Sequence, residues 1–305
     1  MLDVPVAFVI FNRPEATRHS FASIRRAQPS RLFLISDAPR PNRDGEVRLV
    51  QQSRDIAEGV DWECDVTQIY AEQNMGCGRR ISSGISQAFA EVDRLIILED
   101  DCVADDSFFD YCDGLLDRYQ ADERVMAVTG NNFQQGHSRT PSSYYFSKYP
   151  HCWGWATWRR AWDLFDLSIA NWPTFRDTQQ LQTICHSARE IQYWTRVFDQ
   201  VHAGDSHSWA FPWTLSCWMN HGLTAIPDVN LVSNIGFGVG ATHTQKVNGQ
   251  ATLPTHALGE IVHPTHVQRN YIADQFTDDH VFSGNGRRRT MQKIENAFRK
   301  LRRSA

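Results

Sequence analysis

Along the first 130 residues, short apolar runs alternate with longer stretches in which apolar positions recur at helical spacing. Val4 to Phe11 reads as a strand, and Pro14 suits the first turn of a helix over Glu15–Ala27. Arg31 to Ser36 is a second strand, ending at Asp37 and running into the turn-rich stretch from Ala38 to Gly45. A helix over Glu46–Ala57, a strand at Asp65–Tyr70 and a helix from Arg79 to Glu91 follow. Leu95 to Leu98 are too few residues for a helix but suit a strand buried on both faces. A helix over Phe108–Tyr119 and a strand at Val125–Thr129 complete the series. Strands and helices alternating at this spacing predict βαβ units: an α/β fold with a Rossmann-like, mostly parallel sheet and helices on both faces.

Past Asn132 the pattern changes. Trp155, Trp158 and Trp162 have i, i+3, i+7 spacing and predict the buried face of a helix, while Trp153, in the loop from His151 to Gly154, is left as a ligand contact. A polar helix over Gln179–Gly204 and a short strand at Leu223–Pro227 follow. Gly236, Gly238 and Gly240 then fall at alternate positions, suited to a loop that closes over a ligand. Met291, Ile294, Phe298 and Leu301 share one stripe of a basic amphipathic helix.

The candidate chemistry gathers where strands end. Glu99, Asp100 and Asp101 follow the apolar run without a break, at the carboxyl end where open α/β sheets bind ligands. Adjacent carboxylates repel unless compensated, and Mn²⁺ or Mg²⁺ is the natural occupant. Asp105, Asp106 and Ser107 are read instead as caps for the next helix. Arg13 follows the first strand, as a ligand group or as a surface arginine paired to a carboxylate. Asp37 follows the second strand and can accept hydrogen bonds from a base or a ribose. Gly76, Cys77 and Gly78, with Arg79 and Arg80, form a helix start able to cradle phosphate or sugar oxygens. The stretch is neither a Walker loop nor a dinucleotide fingerprint.

Leu98-Glu99-Asp100-Asp101, followed by Asp106-Ser107-Phe108-Phe109-Asp110-Tyr111, resembles the metal and nucleotide-sugar motif of GT-A fold glycosyltransferases. It is closest to the Glu-Asp-Asp form found in N-acetylglucosaminyltransferase I-like enzymes and in bacterial family-two-like transferases. The resemblance spans about Val4 to Thr244 and includes Gly154-Trp155-Ala156. It implies Asp101 as metal ligand, completed by His243, with Asp100 and Glu99 on the sugar and ribose and Arg13 and Asp37 on the nucleoside. It also implies a nucleotide-binding half over 1–135, an acceptor-binding and lid half over 136–264, and an extension over 265–305. Related sequences carry Trp-Asp-x-x-Trp where this chain reads Trp209-Ala210-Phe211-Pro212-Trp213, so the general base is left to Asp205, to His207 or to another residue.

The implied activity is metal-dependent, inverting transfer of a sugar from a nucleotide diphospho-sugar, UDP-linked and GlcNAc-like, to a glycan or lipid-linked acceptor in surface polysaccharide synthesis. The alternatives are a sugar-phosphate nucleotidyltransferase and a catalytically impaired carbohydrate-binding protein of the same fold.

Composition adds bounds. With 305 residues, 41% hydrophobic and 22% charged, the chain is globular in composition. Its longest apolar run is too short to cross a bilayer and lacks the features of an export signal, so a cytoplasmic address is expected. Seven scattered cysteines without a Cys-x-x-Cys pair argue against a disulfide framework or a zinc site. The net charge of −4 divides into +7 from Arg287 onward and −11 before it. The tail helix over 287–303 therefore suits a membrane surface, a core or a partner subunit, and no nucleic-acid partner is expected.

Overall fold

The structure is a computed structural model and describes residues 2–236 and 253–284. In chain order the elements are β1 (Val6–Ile10), α1 (Pro14–Ala27), β2 (Arg31–Ser36), α2 (Glu46–Glu58), β3 (Asp65–Tyr70), α3 (Cys77–Phe89), β4 (Arg94–Glu99) and β5 (Cys102–Ala104). There follow α4 (Asp106–Arg118), β6 (Val125–Thr129), β7 (Tyr144–Ser147), β8 (Trp155–Trp158), α5 (Arg159–Trp162), α6 (Trp172–Asp177) and α7 (Leu181–Ile184). The described chain closes with α8 (Ala188–His202), α9 (Ala210–Met219), β9 (Leu223–Pro227), β10 (Val232–Asn234) and α10 (Tyr271–Val281).

The described residues build an eight-stranded sheet in the order β3-β2-β1-β4-β8-β6-β9-β7. Parallel pairing joins β3 to β2, β2 to β1, β1 to β4 and β6 to β9, while β8 and β7 run against their neighbours. This is the mostly parallel α/β architecture that the sequence predicts. Burial on both faces explains the continuous apolar runs: Val6, Phe8 and Ile10 of β1 pack with α1 and α4, while Ala7 and Val9 face α3. Likewise Ile96 and Leu98 of β4 point to the first layer and Leu95 and Ile97 to the second. Truncating wholly buried Phe8 to Ala would cost about 3–5 kcal/mol through lost burial and the cavity left behind.

The topology decides where a ligand can bind. From β1 the chain moves outward to β2 and β3, then returns through α3 to β4 on the other side of β1. Connections therefore diverge between β1 and β4, which makes their carboxyl ends the switch point of the sheet, the place where open α/β sheets bind ligands.

Two expectations fail. Trp155 and Trp158 lie not on a helix but in β8, which inserts antiparallel between β4 and β6. Residues three apart in a strand face opposite ways, so Trp155 joins the layer of α3 and α9 and Trp158 the layer of α4; Trp162 ends the short α5. The polar stretch over 179–204 breaks into α7 and α8, because Ser187 accepts from the Glu190 amide and restarts the helix.

The 1–135 and 136–264 segments contribute to one sheet, since β8 and β9 flank β6. All seven cysteines are free thiols. Among the described residues, no helix is long and apolar enough to cross a membrane. His243, Gly238, Gly240 and the 287–303 stripe lie outside the described residues.

Candidate active site

At the switch point the end of β1 meets the acid run that follows β4, with Val9 paired to Glu99. The Phe11 amide donates to Oδ2 of Asp100 at 3.1 Å, and Ser20 Oγ of α1 donates to the Asp100 carbonyl at 2.9 Å. Arg13 Nη1 donates to Oδ2 of Asp101 at 2.5 Å and lies 3.6 Å from Oδ1 of Asp100. The other Asp101 oxygen accepts from Asn234 Nδ2 at 3.1 Å, and the Ile235 amide bonds the Asp101 carbonyl at 2.8 Å. That contact follows from the small antiparallel ribbon of β5 and β10, which pairs Asn234 with Cys102. Glu99 accepts from the indole of Trp209, which stacks on Trp155 at 5.3 Å.

The electrostatics are those of a crowded, dehydrated anion set. Burial, with Asp101 and then Asp100 nearby, pushes the Glu99 carboxyl up to about 8, and burial with Asp101 pushes Asp100 up to about 7. Burial works against the charge of Arg13, yet Asp100, Asp101 and Glu99 outweigh it and hold its pKa above the usual arginine value. The Cys77 thiol at the start of α3 is pushed up to about 12, by burial first and then by Glu99, which brings that helix start close to the acids.

The donor set suits a hard divalent cation held by one or two carboxylates, with substrate oxygens and water completing its shell. Space at the oxygen is reserved by backbone: a Cβ on Gly236 would lie 2.0 Å from Asp101 Oδ2. The acid run is not a closed three-ligand cage. Among the described residues, the three-group set whose ligand atoms lie within 4.8 Å of one another is His186, Glu190 and Asp278. That set is already committed to cations and hydroxyls: buried Lys148 and Tyr149 bond Glu190, and Arg189 and Ser283 bond Asp278. It ties α8, the end of β7 and α10 together as an ion-pair network.

Next to the acids lies a second group. Asp37, buried at the end of β2, accepts from the amides of Ala38, Met75 and Gly76 at 2.9 to 3.1 Å, so its carboxylate fixes the loop that starts α3. Asn12 donates to Glu46 Oε1 at 2.8 Å, and Glu46 also holds Arg40, which ties the loop after β2 to the end of β1. Arg79 is exposed. Arg80 is 5% exposed; its Nε and Nη2 have no hydrogen-bond partner, and its Nη1 reaches only Met75 Sδ at 3.8 Å. Burial pulls its pKa down, with the charge of Asp37 opposing.

Asp205 and His207 are exposed on the loop before α9. The His207 carbonyl lies 2.7 Å from a Cβ placed on Gly78, so this loop rests on the first turn of α3 and passes into Trp209 beside Glu99. Ala210 is the first residue of α9. Trp153 is half-buried, its ring edge-on to Phe133 at 5.0 Å and its amide 3.2 Å from Asn131 Oδ1. Asp105 caps α4 by accepting from the Ser107 amide. The structure thus gathers Arg13, Glu99, Asp100 and Asp101 in direct contact or sequence and sets Asp37 and Arg80 along the adjoining helix start. It adds Trp209, Asn234 and Gly236, which the strand pattern alone does not single out.

No protein-family model matches the sequence, and no curated protein matches it. Among solved structures the chain is similar to a UDP-glucose pyrophosphorylase complexed with UDP-glucose, at 10% identity over 53% of this chain and 79% of that one, with a TM-score of 0.34. It is similar to a mannosyltransferase from Pyrobaculum calidifontis in complex with GDP-Man and Mn²⁺, at 11% identity over 72% of each chain, TM-score 0.38. A third likeness is to 4-diphosphocytidyl-2C-methyl-D-erythritol synthase from Anaerococcus prevotii, at 8% identity over 53% of this chain and 74% of that one, TM-score 0.31. These likenesses are too distant to carry an activity to this chain.

Proposed function

We propose that the chain is a metal-dependent glycosyltransferase that moves a sugar from a nucleotide diphospho-sugar to a hydroxyl of a glycan or lipid-linked acceptor. The observation that carries this reading is the set of Glu99, Asp100 and Asp101 facing Arg13 across the switch point of the sheet. A structural ion pair needs one carboxylate, whereas three crowd this guanidinium, and their mutual repulsion is what a ligand-borne cation would relieve.

In this reading Asp101 and His243 hold Mn²⁺ or Mg²⁺, which supplies Lewis-acid neutralisation of the charge building on the departing diphosphate. Asp100 and Glu99 accept hydrogen bonds from sugar and ribose hydroxyls. Asp37 and the loop it fixes hold the nucleoside, a uridine by the resemblance, while Arg79 and Arg80 at the start of α3 face the phosphates. Trp153 covers an apolar sugar face. Asp205 or His207 takes the proton of the acceptor hydroxyl as its oxygen attacks the anomeric carbon from the side opposite the diphosphate, which inverts that centre without a covalent intermediate. The donor is a UDP-linked, GlcNAc-like sugar and the setting is surface polysaccharide synthesis at the inner membrane face, with the 287–303 stripe as contact.

The test is a panel of nucleotide sugars screened for thermal stabilisation with and without Mn²⁺, followed by slow hydrolysis of the best one. Stabilisation by a UDP-sugar only with the metal, and release of UDP and free sugar, is expected. Pyrophosphate released from a nucleoside triphosphate and a sugar phosphate would assign the site to a nucleotidyltransferase instead. Metal-independent sugar binding without turnover would assign it to a binding protein.

A further inference from the structure

Arg13 holds one oxygen of Asp101, the residue proposed above to ligate a cation. One Asp101 oxygen is taken by the neutral amide of Asn234, and the other, Oδ2, is held by the Arg13 guanidinium at 2.5 Å against the backbone of Gly236. A cation that ligates Asp101 at Oδ2 competes with that N–H for the oxygen and is repelled by the positive guanidinium beside it. The backbone around Arg13 is in turn fixed: Arg13 is the N-cap of α1, Pro14 sets the first turn, and the Arg13 carbonyl accepts from both the amide and the hydroxyl of Thr17 at 2.9 Å. Motion at this position is therefore confined to the side chain, which is 23% exposed.

We propose that Arg13 is a displaceable counter-ion. In the ligand-free protein it neutralises Asp101 and Asp100; a divalent cation arriving with the donor drives it off Oδ2, and the released guanidinium turns to the diphosphate oxygens. This rests on the metal-dependent reading above and adds a positioning role that couples cation and donor capture. The charges support the exchange. A doubly charged ion outcompetes a delocalised single charge for a buried carboxylate, and a guanidinium fork matches phosphate oxygens as well as it matches carboxylate. The exchange keeps Asp101 paired with a positive charge at each stage.

The experiment measures Mn²⁺ binding by electron paramagnetic resonance and UDP binding by calorimetry for wild type, Arg13→Gln and Asp101→Asn, each checked for folding by circular dichroism. Removing a competing counter-ion should tighten Mn²⁺ binding without nucleotide by roughly tenfold in Arg13→Gln, while weakening UDP binding at saturating Mn²⁺ by roughly tenfold. Opposite signs from one substitution are the signature. Mn²⁺ affinity unchanged or lowered in Arg13→Gln overturns the proposal.

In the wild type, the guanidinium ¹⁵N–¹H signal of Arg13 should change on Mg²⁺ titration with UDP, and a signal that stays put overturns the proposal without needing the variant to fold. If wild type binds no divalent ion with or without UDP, the metal-dependent reading itself fails, which is a separate and recognisable result.

Discussion

A Cβ placed on Gly236 would lie 2.0 Å from Oδ2 of Asp101 and 2.9 Å from Nη1 of Arg13. Bare backbone is thus a wall of the acid site, held there by the Gly236 amide bonding Asn234 Oδ1 at 2.8 Å. Gly236→Ala must shift either the loop or the ion pair, an overpacking cost of about 1–3 kcal/mol. A lower melting temperature and a loss of Mn²⁺-assisted UDP binding by tenfold or more are expected. Calorimetry showing wild-type affinity in the alanine variant would remove Gly236 from the site.

Asp37 holds the backbone amides at the start of α3 with charge-assisted bonds. Asp37→Ala removes these charge-assisted bonds at part-buried amides, at about 1–3 kcal/mol, and loosens the loop proposed to hold the nucleoside. Urea melts should show the loss of stability, and UDP binding should weaken by more than the change in folded fraction explains. Unaltered UDP affinity in the folded variant would leave Asp37 with its structural role alone.

Arg80 makes the opposite trade. A buried guanidinium whose Nε and Nη2 lack partners destabilises the ligand-free fold, so Arg80→Met should raise the stability of the free protein by about 1–3 kcal/mol. If Arg80 faces donor phosphates, the same variant should bind UDP at least tenfold more weakly. Greater stability with full UDP binding would refute the phosphate role.

His151 is buried among Phe133, Tyr149 and Phe282, and burial pushes its pKa down from 6.5 to about 3. The unfolded chain therefore takes up a proton before the folded one does. The stability that neutral His151 supports is complete above pH 6.5 and is lost as pH falls toward 3. A full shift corresponds to about 4–5 kcal/mol at the acid end. His151→Phe should flatten this limb, so that the variant gains on wild type steadily between those pH values in urea melts. Parallel stability profiles for the two proteins would contradict this account of His151.

Much of the sheet was legible because strands buried on both faces leave continuous apolar runs, and β2, β6 and β9 end where those runs end. The acid run was legible for the same reason: Glu99 to Asp101 interrupt such a run abruptly. Trp155 and Trp158 misled because their spacing fits helical periodicity, whereas β8 is defined by its neighbours β4 and β6, a non-local pairing that spacing cannot encode. The break before α8 had a local signal: Ser187 followed by Glu190 is the spacing of a capping box. Trp209 on Glu99 and Asn234 on Asp101 come together over more than 100 residues, through α9 and the β5–β10 ribbon, so no window of sequence could reveal them.

In the proposed function Asp101 lets a divalent cation assist capture of a nucleotide diphosphate. Calorimetric titration of UDP into wild type and Asp101→Asn, each with Mn²⁺ and with chelator, tests it most directly. Wild type should bind UDP at least tenfold more tightly with Mn²⁺, and the asparagine variant should show little difference between the two conditions. Equal Mn²⁺ enhancement in both proteins would contradict the account.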